Sequence, residues 1–300
     1  MVTADAVKKQ KESMTRNYHI SYSAFESSLQ VETLRSLSSC FKAIGREFVV
    51  IGAASRDILR LYLEADAPAR KTKDLDIAIA VETWSDFFVI SEALQARGFR
   101  KDPTIKQRFY YTGCKEAEYE VDVVPFGGVE KPDENIYWPP EESPRMSVKG
   151  FSSVLKDCMT VDVDGEFEFR IPSVPAFFVT KFDAWMDRHF LNNKDAKDMS
   201  YILGNYYFHE ITEGHHLEVC DILGDDFDPY VAGAYMLAKD IAELLDRDEI
   251  ESYYKDIRAE LDLGDRSRLL VDCVLGDADF DMVKNAWEIM AEVFRENCRI

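Results

Sequence analysis

Asp74 and Asp76, separated by one residue, stand at the head of an apolar run from Leu75 to Val81. In an extended segment alternate side chains share a face, so the two carboxylates point the same way. Side by side they repel, and each costs free energy unless a cation lies between them. A magnesium ion meets that need, because it takes few protein ligands and leaves positions for phosphate oxygens. A third aspartate, Asp122, lies in a second apolar run, Glu120-Val121-Asp122-Val123-Val124. If the two runs are neighbouring strands, Asp122 completes a three-carboxylate site. Such a site can hold two metal ions, one for an attacking oxygen and one for a leaving phosphate. A D-x-D pair alone is commonly a solvated strand end; its surroundings decide its meaning.

Those surroundings include a turn for phosphate. Phe48-Val49-Val50-Ile51 reads as a buried strand ended by Gly52, and Ala53-Ala54-Ser55 leads into a helix. Gly52 permits close backbone approach, Ala53 still offers its N–H, Ser55 is placed to cap the helix, and a helix N-terminus presents free N–H groups to an anion. Taken by itself, the turn is equally a plain strand-to-helix junction.

A second group lies downstream. On a helix from Val174 to His189, Lys181, Ala184, Trp185 and Arg188 share one face. Lys181 on that largely apolar face either snorkels into a salt bridge with Asp195 or Asp198, or aims at a ligand. Asp195 and Asp198 are read first as orienting Lys181, and otherwise as base candidates. Arg97, Arg100, Lys101, Lys106 and Arg108 make the most basic stretch of the chain, with Tyr110 and Tyr111 beside it. That stretch is either a solvated edge or a strip that tracks RNA phosphates while tyrosines stack on bases. His215-His216 reads as part of a polar loop. Trp138-Pro139-Pro140 is a candidate cover for the site.

The elements that must position these groups change character along the chain. Residues 1–28 form a polar lead-in, and a helix follows over Leu29 to Ile44. Strands are expected at 48–51, 75–81, 108–111 and 119–124, with a helix over Ser85 to Ala96. The proline-rich stretch from Val129 to Pro144 reads as a loop. A hairpin turns at Asp164-Gly165. From Val174 the periodicity is helical, over 174–189, 195–205, 232–245, 249–261, 267–274 and 281–296. Strands first and helices later define an α+β architecture: a mixed-sheet domain over 1–172 with its helical lead-in, then a helical domain over 173–300, with a cleft between them expected to hold the site.

Composition sets bounds. The chain of 300 residues is 46% hydrophobic, enough for a sizeable core. No apolar run is long enough to span a bilayer, and residues 1–16 lack the apolar stretch of a secretory signal. The six cysteines are scattered without a C-x-x-C pair, which argues for reduced thiols in a cytoplasm and against a structural zinc. The net charge is −20, and residues 206–300 hold 24 acidic and 9 basic side chains. The acidity is thus concentrated in the last third. It argues against a nucleic-acid grip there, and much less so over the first 205 residues.

Together the turn, the D-x-D and the later aspartate resemble the DNA polymerase β-type nucleotidyltransferase superfamily. The stretch Arg70-Lys71-Thr72-Lys73-Asp74-Leu75-Asp76 is similar to the R-x-T-x-D-L-D of its AbiEii-type branch, the toxins of abortive-infection toxin–antitoxin pairs. Val121 to Gly127, Lys181 to Arg188 and Lys194 to Asp198 share that likeness, which covers about residues 45–205. One departure is Ala53, where the family carries a second Gly or Ser. The resemblance implies a polymerase-β-type fold and magnesium- or manganese-dependent transfer of a nucleoside monophosphate from an NTP, such as ATP, to a hydroxyl. In it Asp74, Asp76 and Asp122 bind metal. Gly52, Ala53, Ser55, Arg70, Lys73 and Lys181 bind the nucleotide, and Lys181 also counts as catalytic. It further implies an RNA acceptor, a tRNA end, and an antitoxin partner. The alternatives are nucleotidyl transfer to a small molecule such as an antibiotic, and a non-catalytic nucleotide-binding protein.

Overall fold

A computed structural model describes residues 17–63, 74–113, 117–215, 219–224, 227–276 and 278–298. The chain divides into two compact units. The first comprises Met1–Ile58, Pro68–Val148 and Asp157–Ser173, and the second Leu59–Ala67, Lys149–Lys156 and Val174–Ile300.

The first unit is built on an eight-stranded mixed sheet of order β1-β9-β10-β2-β3-β6-β5-β4. Its strands are β1 (Asn17–Ile20), β2 (Val49–Ile51), β3 (Asp74–Val81), β4 (Phe99–Lys101), β5 (Arg108–Thr112), β6 (Glu118–Gly127), β9 (Cys158–Val163) and β10 (Phe167–Pro172). The central β3 and β6 run parallel, and β2 and β5 flank them antiparallel. Alternation produces this sheet. Leu75, Ile77, Val121, Val123 and Phe109 are fully or almost fully buried, while Asp74, Asp76 and Asp122 point to the other face. Each buried aliphatic or aromatic side chain contributes about 1.5–3 kcal/mol.

Helix α1 (Ser28–Ala43) buries Leu34, Leu37 and Phe41. The Ser27 side chain caps it by accepting from the Gln30 N–H. Helix α3 (Trp84–Gln95) starts at a reciprocal capping box between Thr83 and Asp86. Helix α2 (Gly52–Tyr62) begins directly at the end of β2.

Three expectations need correction in this unit. The polar lead-in contains a strand, β1, which pairs in parallel with β9. The stretch expected as loop holds a two-stranded sheet of β7 (Asn135–Tyr137) and β8 (Arg145–Ser147). Trp138 does not lie free as a cover: it is buried, with its ring 5.1 Å from those of Trp84 and Phe87.

The second unit is helical: α4 (Phe151–Val154), α5 (Val174–Arg188), α6 (Lys194–Thr212), α7 (Val219–Leu223), α8 (Pro229–Leu244), α9 (Arg247–Leu261), α10 (Arg268–Cys273) and α11 (Phe280–Cys298). Its core gathers Phe178, Phe182 and Trp287, with ring centroids 5.7 and 5.8 Å apart around the indole. A mixed sheet followed by a helical region is therefore the architecture of this chain. No described helix is long and apolar enough to cross a membrane.

Candidate active site

Register across the sheet assembles the site. Ile51, Asp76, Asp122 and Arg108 form one row across β2, β3, β6 and β5. Asp74, Glu120 and Tyr110 form the next. Residues two apart on a strand share a face, so four carboxylates stand on one side of the central strands. The condition set by the sequence, that the two acidic runs be neighbouring strands, is met.

Gly52 closes one side of this row. Its φ of +67° lies in the left-handed region, and a Cβ there would collide with Asp76 Oδ2 and stand 3.2 Å from Asp76 Cγ. The absence of a side chain is what lets Asp76 lie against the turn. Ala53 follows in the first turn of α2. Ser55 is not the cap. The helix starts three residues before it, and Ser55 is fully buried, donating its hydroxyl to the Gly52 carbonyl at 3.2 Å. Arg70 and Lys73 lie outside the described residues.

Arg108 holds the far side. Its Nε and Nη2 donate to the two oxygens of Asp122 at 2.8 and 2.9 Å, and its Nη1 lies 2.7 Å from Glu120 Oε2. The fork is bidentate and charge-assisted. The hydrogen bond to Asp122 raises the guanidinium pKa above its ordinary value, against a smaller lowering from burial. Asp74 has no hydrogen-bond or ion partner among the described residues. Among them, no three Asp, Glu, His or Cys side chains stand close enough as they lie to hold a metal ion.

The donor set nevertheless suits a hard divalent cation. Asp74, Asp76, Glu120 and Asp122 all offer carboxylate oxygens, and the four stand together beside the Arg108 guanidinium.

Lys181 belongs to another cluster, in the helical unit. It is buried and bonded to Asp195 Oδ1 at 3.2 Å and Asp198 Oδ2 at 2.9 Å. Arg188 forks onto Asp195 at 2.9 and 3.0 Å. Burial pushes the Asp195 carboxyl up, but the bonds and charges of Arg188 and Lys181 outweigh it, leaving its pKa below the ordinary value. The salt-bridge reading of Lys181 thus has direct partners, and both late aspartates orient it.

The strip on β4 and β5 is largely neutralised. Arg100 forks onto Glu118, Lys106 reaches Glu141 at 3.0 Å, and Arg108 is committed as above. Lys101 lies about 6 Å from the rings of Phe87, Phe88 and Phe109, and burial lowers its pKa. His215 bonds Glu210 at 2.8 Å, while His216 lies outside the described residues.

Two further features stand beside the residues singled out in the sequence. Glu120 repeats, in Glu120-Val121-Asp122, the one-residue spacing of Asp74-Leu75-Asp76, and that repetition was visible. Arg56, 7% exposed, donates to Asp57 at 2.7 and 2.8 Å just after the Gly52 turn; two adjacent charges on a helix next to a buried strand were its signal.

No family model and no curated protein matches the sequence. Among solved structures, the chain is similar to JHP933 from Helicobacter pylori, at 14% identity and a TM-score of 0.33 over 91% of this chain and 94% of that one. It is similar to a candidate nucleotidyltransferase from H. pylori at 13% identity and 0.34, over 91% and 97%. A Thermotoga maritima CCA-adding enzyme complexed with tRNA follows at 12% and 0.24, over 90% and 82%. Similarity at this level assigns no role to any residue.

Proposed function

We propose that the chain is a metal-dependent nucleotidyltransferase of the polymerase-β type, moving a nucleoside monophosphate from an NTP to a hydroxyl with release of pyrophosphate. The supporting observation is the in-register pairing of Asp74-x-Asp76 with Glu120-x-Asp122 beside a glycine that only a missing side chain allows. In the reaction the acceptor oxygen forms a bond to the α-phosphorus, and the bond to the bridging oxygen of pyrophosphate breaks. The hydroxyl proton leaves to solvent or to a carboxylate.

Asp74, Asp76 and Asp122 would hold magnesium or manganese, which when bound supplies charge neutralisation to the phosphates and the acceptor oxygen. The chain's own contribution is positioning and electrostatics. The first turn of α2 presents N–H groups of Gly52 and Ala53 to the triphosphate. Ser55, being buried, supports that turn from behind. Arg70 and Lys73 are retained as triphosphate partners. Lys181, held by Asp195 and Asp198 within the helical unit, is read as structural there, its nucleotide role being only what the resemblance implies.

By its resemblance to the AbiEii-type branch, the acceptor is an RNA end, the outcome growth arrest, and the partner an antitoxin. A small cationic acceptor is the second reading. It is favoured by the neutralised strip on β4 and β5 and by the acidity of residues 206–300. Incubation with each labelled NTP and either total RNA or an aminoglycoside separates them. Labelled RNA supports the first reading and labelled aminoglycoside the second. No transfer with any of four NTPs, and no difference on Asp76→Ala in Mg-NTP binding, leaves the non-catalytic alternative.

A further inference from the structure

Arg108 is bonded to the acidic row, and it takes both oxygens of Asp122, a carboxylate that the metal centre requires. We propose that Arg108 is a resident counter-cation that exchanges with a divalent ion at Asp122, offsetting part of the row's negative charge before loading and releasing Asp122 when the ion binds. This rests on the metal-centre reading above and deepens it.

Strand register places the guanidinium here. Arg108 stands directly opposite Asp122 across β5 and β6, and Asp122 stands opposite Asp76 across β6 and β3. Asp122 is therefore flanked by a cation on one side and a carboxylate on the other. Both of its oxygens are turned to Arg108. The pair is shielded, with side chains 21% and 13% exposed, so water screens it only partly.

Glu120 provides the other half of the exchange. Its side chain is 39% exposed and already bonded to Nη1 at 2.7 Å. On losing Asp122, the guanidinium keeps Glu120 and is not left unpaired. Asp122 then turns toward Asp76 without stranding a buried charge. The ion adds positive charge while the guanidinium stays on Glu120, so the like-charge repulsion among Asp74, Asp76, Glu120 and Asp122 falls on loading.

The test uses the full-length protein, Mn2+ as the probe, and no nucleotide. Arg108→Met removes the charge and the fork while keeping an unbranched apolar stem. Calorimetric titration should show Mn2+ binding tightened by about tenfold or more. In EDTA the variant should melt below the wild type, and Mn2+ should raise its Tm more than it raises that of the wild type. Arg108→Lys, which keeps the charge but loses the fork, guards against a misfolded variant and should fall between the two. Equal or weaker Mn2+ binding by both folded variants, with Asp76→Asn binding none, overturns the exchange while leaving the metal centre standing. Mn2+ binding by neither the wild type nor the variants overturns the metal centre and the exchange with it.

Discussion

Asp76 and Gly52 depend on each other. The glycine is required twice: its φ of +67° disfavours any side chain, and a Cβ would enter the space of Asp76 Oδ2. Gly52→Ala should therefore cost about 1–2 kcal/mol from the left-handed conformation alone. It should also displace the carboxylate, weakening Mn2+ binding and nucleotidyl transfer together. Urea unfolding alongside a Mn2+ titration checks both; loss of stability with Mn2+ affinity unchanged would remove Gly52 from the site. At this scale the aspartates were legible, because alternation along a strand is a local property of the sequence. Glu120 is equally legible, from the same one-residue spacing. The bonding of Arg108 to Asp122 was not legible, since it depends on which strands become neighbours. Ser55 was misplaced because a serine near a helix start usually caps it, whereas here α2 begins at Gly52 itself.

Between elements, α5 and α6 are joined by a buried knot in which Lys181 meets Asp195 and Asp198, and Arg188 meets Asp195. Removing one member of such a knot leaves a charge without compensation. Lys181→Met should destabilise the protein by about 3 kcal/mol, since Asp198 loses this cation while Asp195 keeps Arg188. Chemical denaturation measures the loss, and a cost near zero would mean that the lysine is available for a ligand. The same knot sets a pH dependence. The Asp195 pKa is lowered in the folded chain, so the unfolded state binds its proton first as pH falls. Its stabilisation is complete above the ordinary carboxylate pKa of about 3.9 and disappears as pH drops through the lower folded value. Wild type should therefore lose more Tm below pH 4 than Asp195→Asn does; parallel curves would count against the shift.

The helices of this unit were legible from 3.6-residue periodicity, although α6 extends to Thr212, well past the expected 205. Strand β1 was not. Four residues, Asn17 to Ile20, become a strand only through pairing with Thr160 to Val163, over 140 positions away. The β7–β8 hairpin was masked by the prolines around it.

At the scale of the whole molecule, charge is the property that reaches the acceptor. The chain carries −20, concentrated after residue 205, and Arg100, Lys106 and Arg108 of the first unit's basic strip are paired with carboxylates. This balance could be read only in part from the sequence, because composition locates charge along the chain but does not say which charges neutralise one another. It has a measurable consequence. Each phosphate neutralised on a single strand contributes about 0.7 to the log–log dependence of affinity on salt. A protein that grips RNA along a basic surface shows slopes of about 4–7. Here Arg100, Lys106 and Arg108 already have partners, and only contacts to the terminal nucleotide and the triphosphate turn are expected. Binding of a labelled RNA between 50 and 200 mM salt should give a slope of about 2 or less. A steep slope would mean that the strip exchanges its carboxylate partners for phosphates on binding. In that case Glu118→Gln, which frees Arg100, should tighten RNA binding further, whereas under the expected shallow dependence it should leave the slope unchanged.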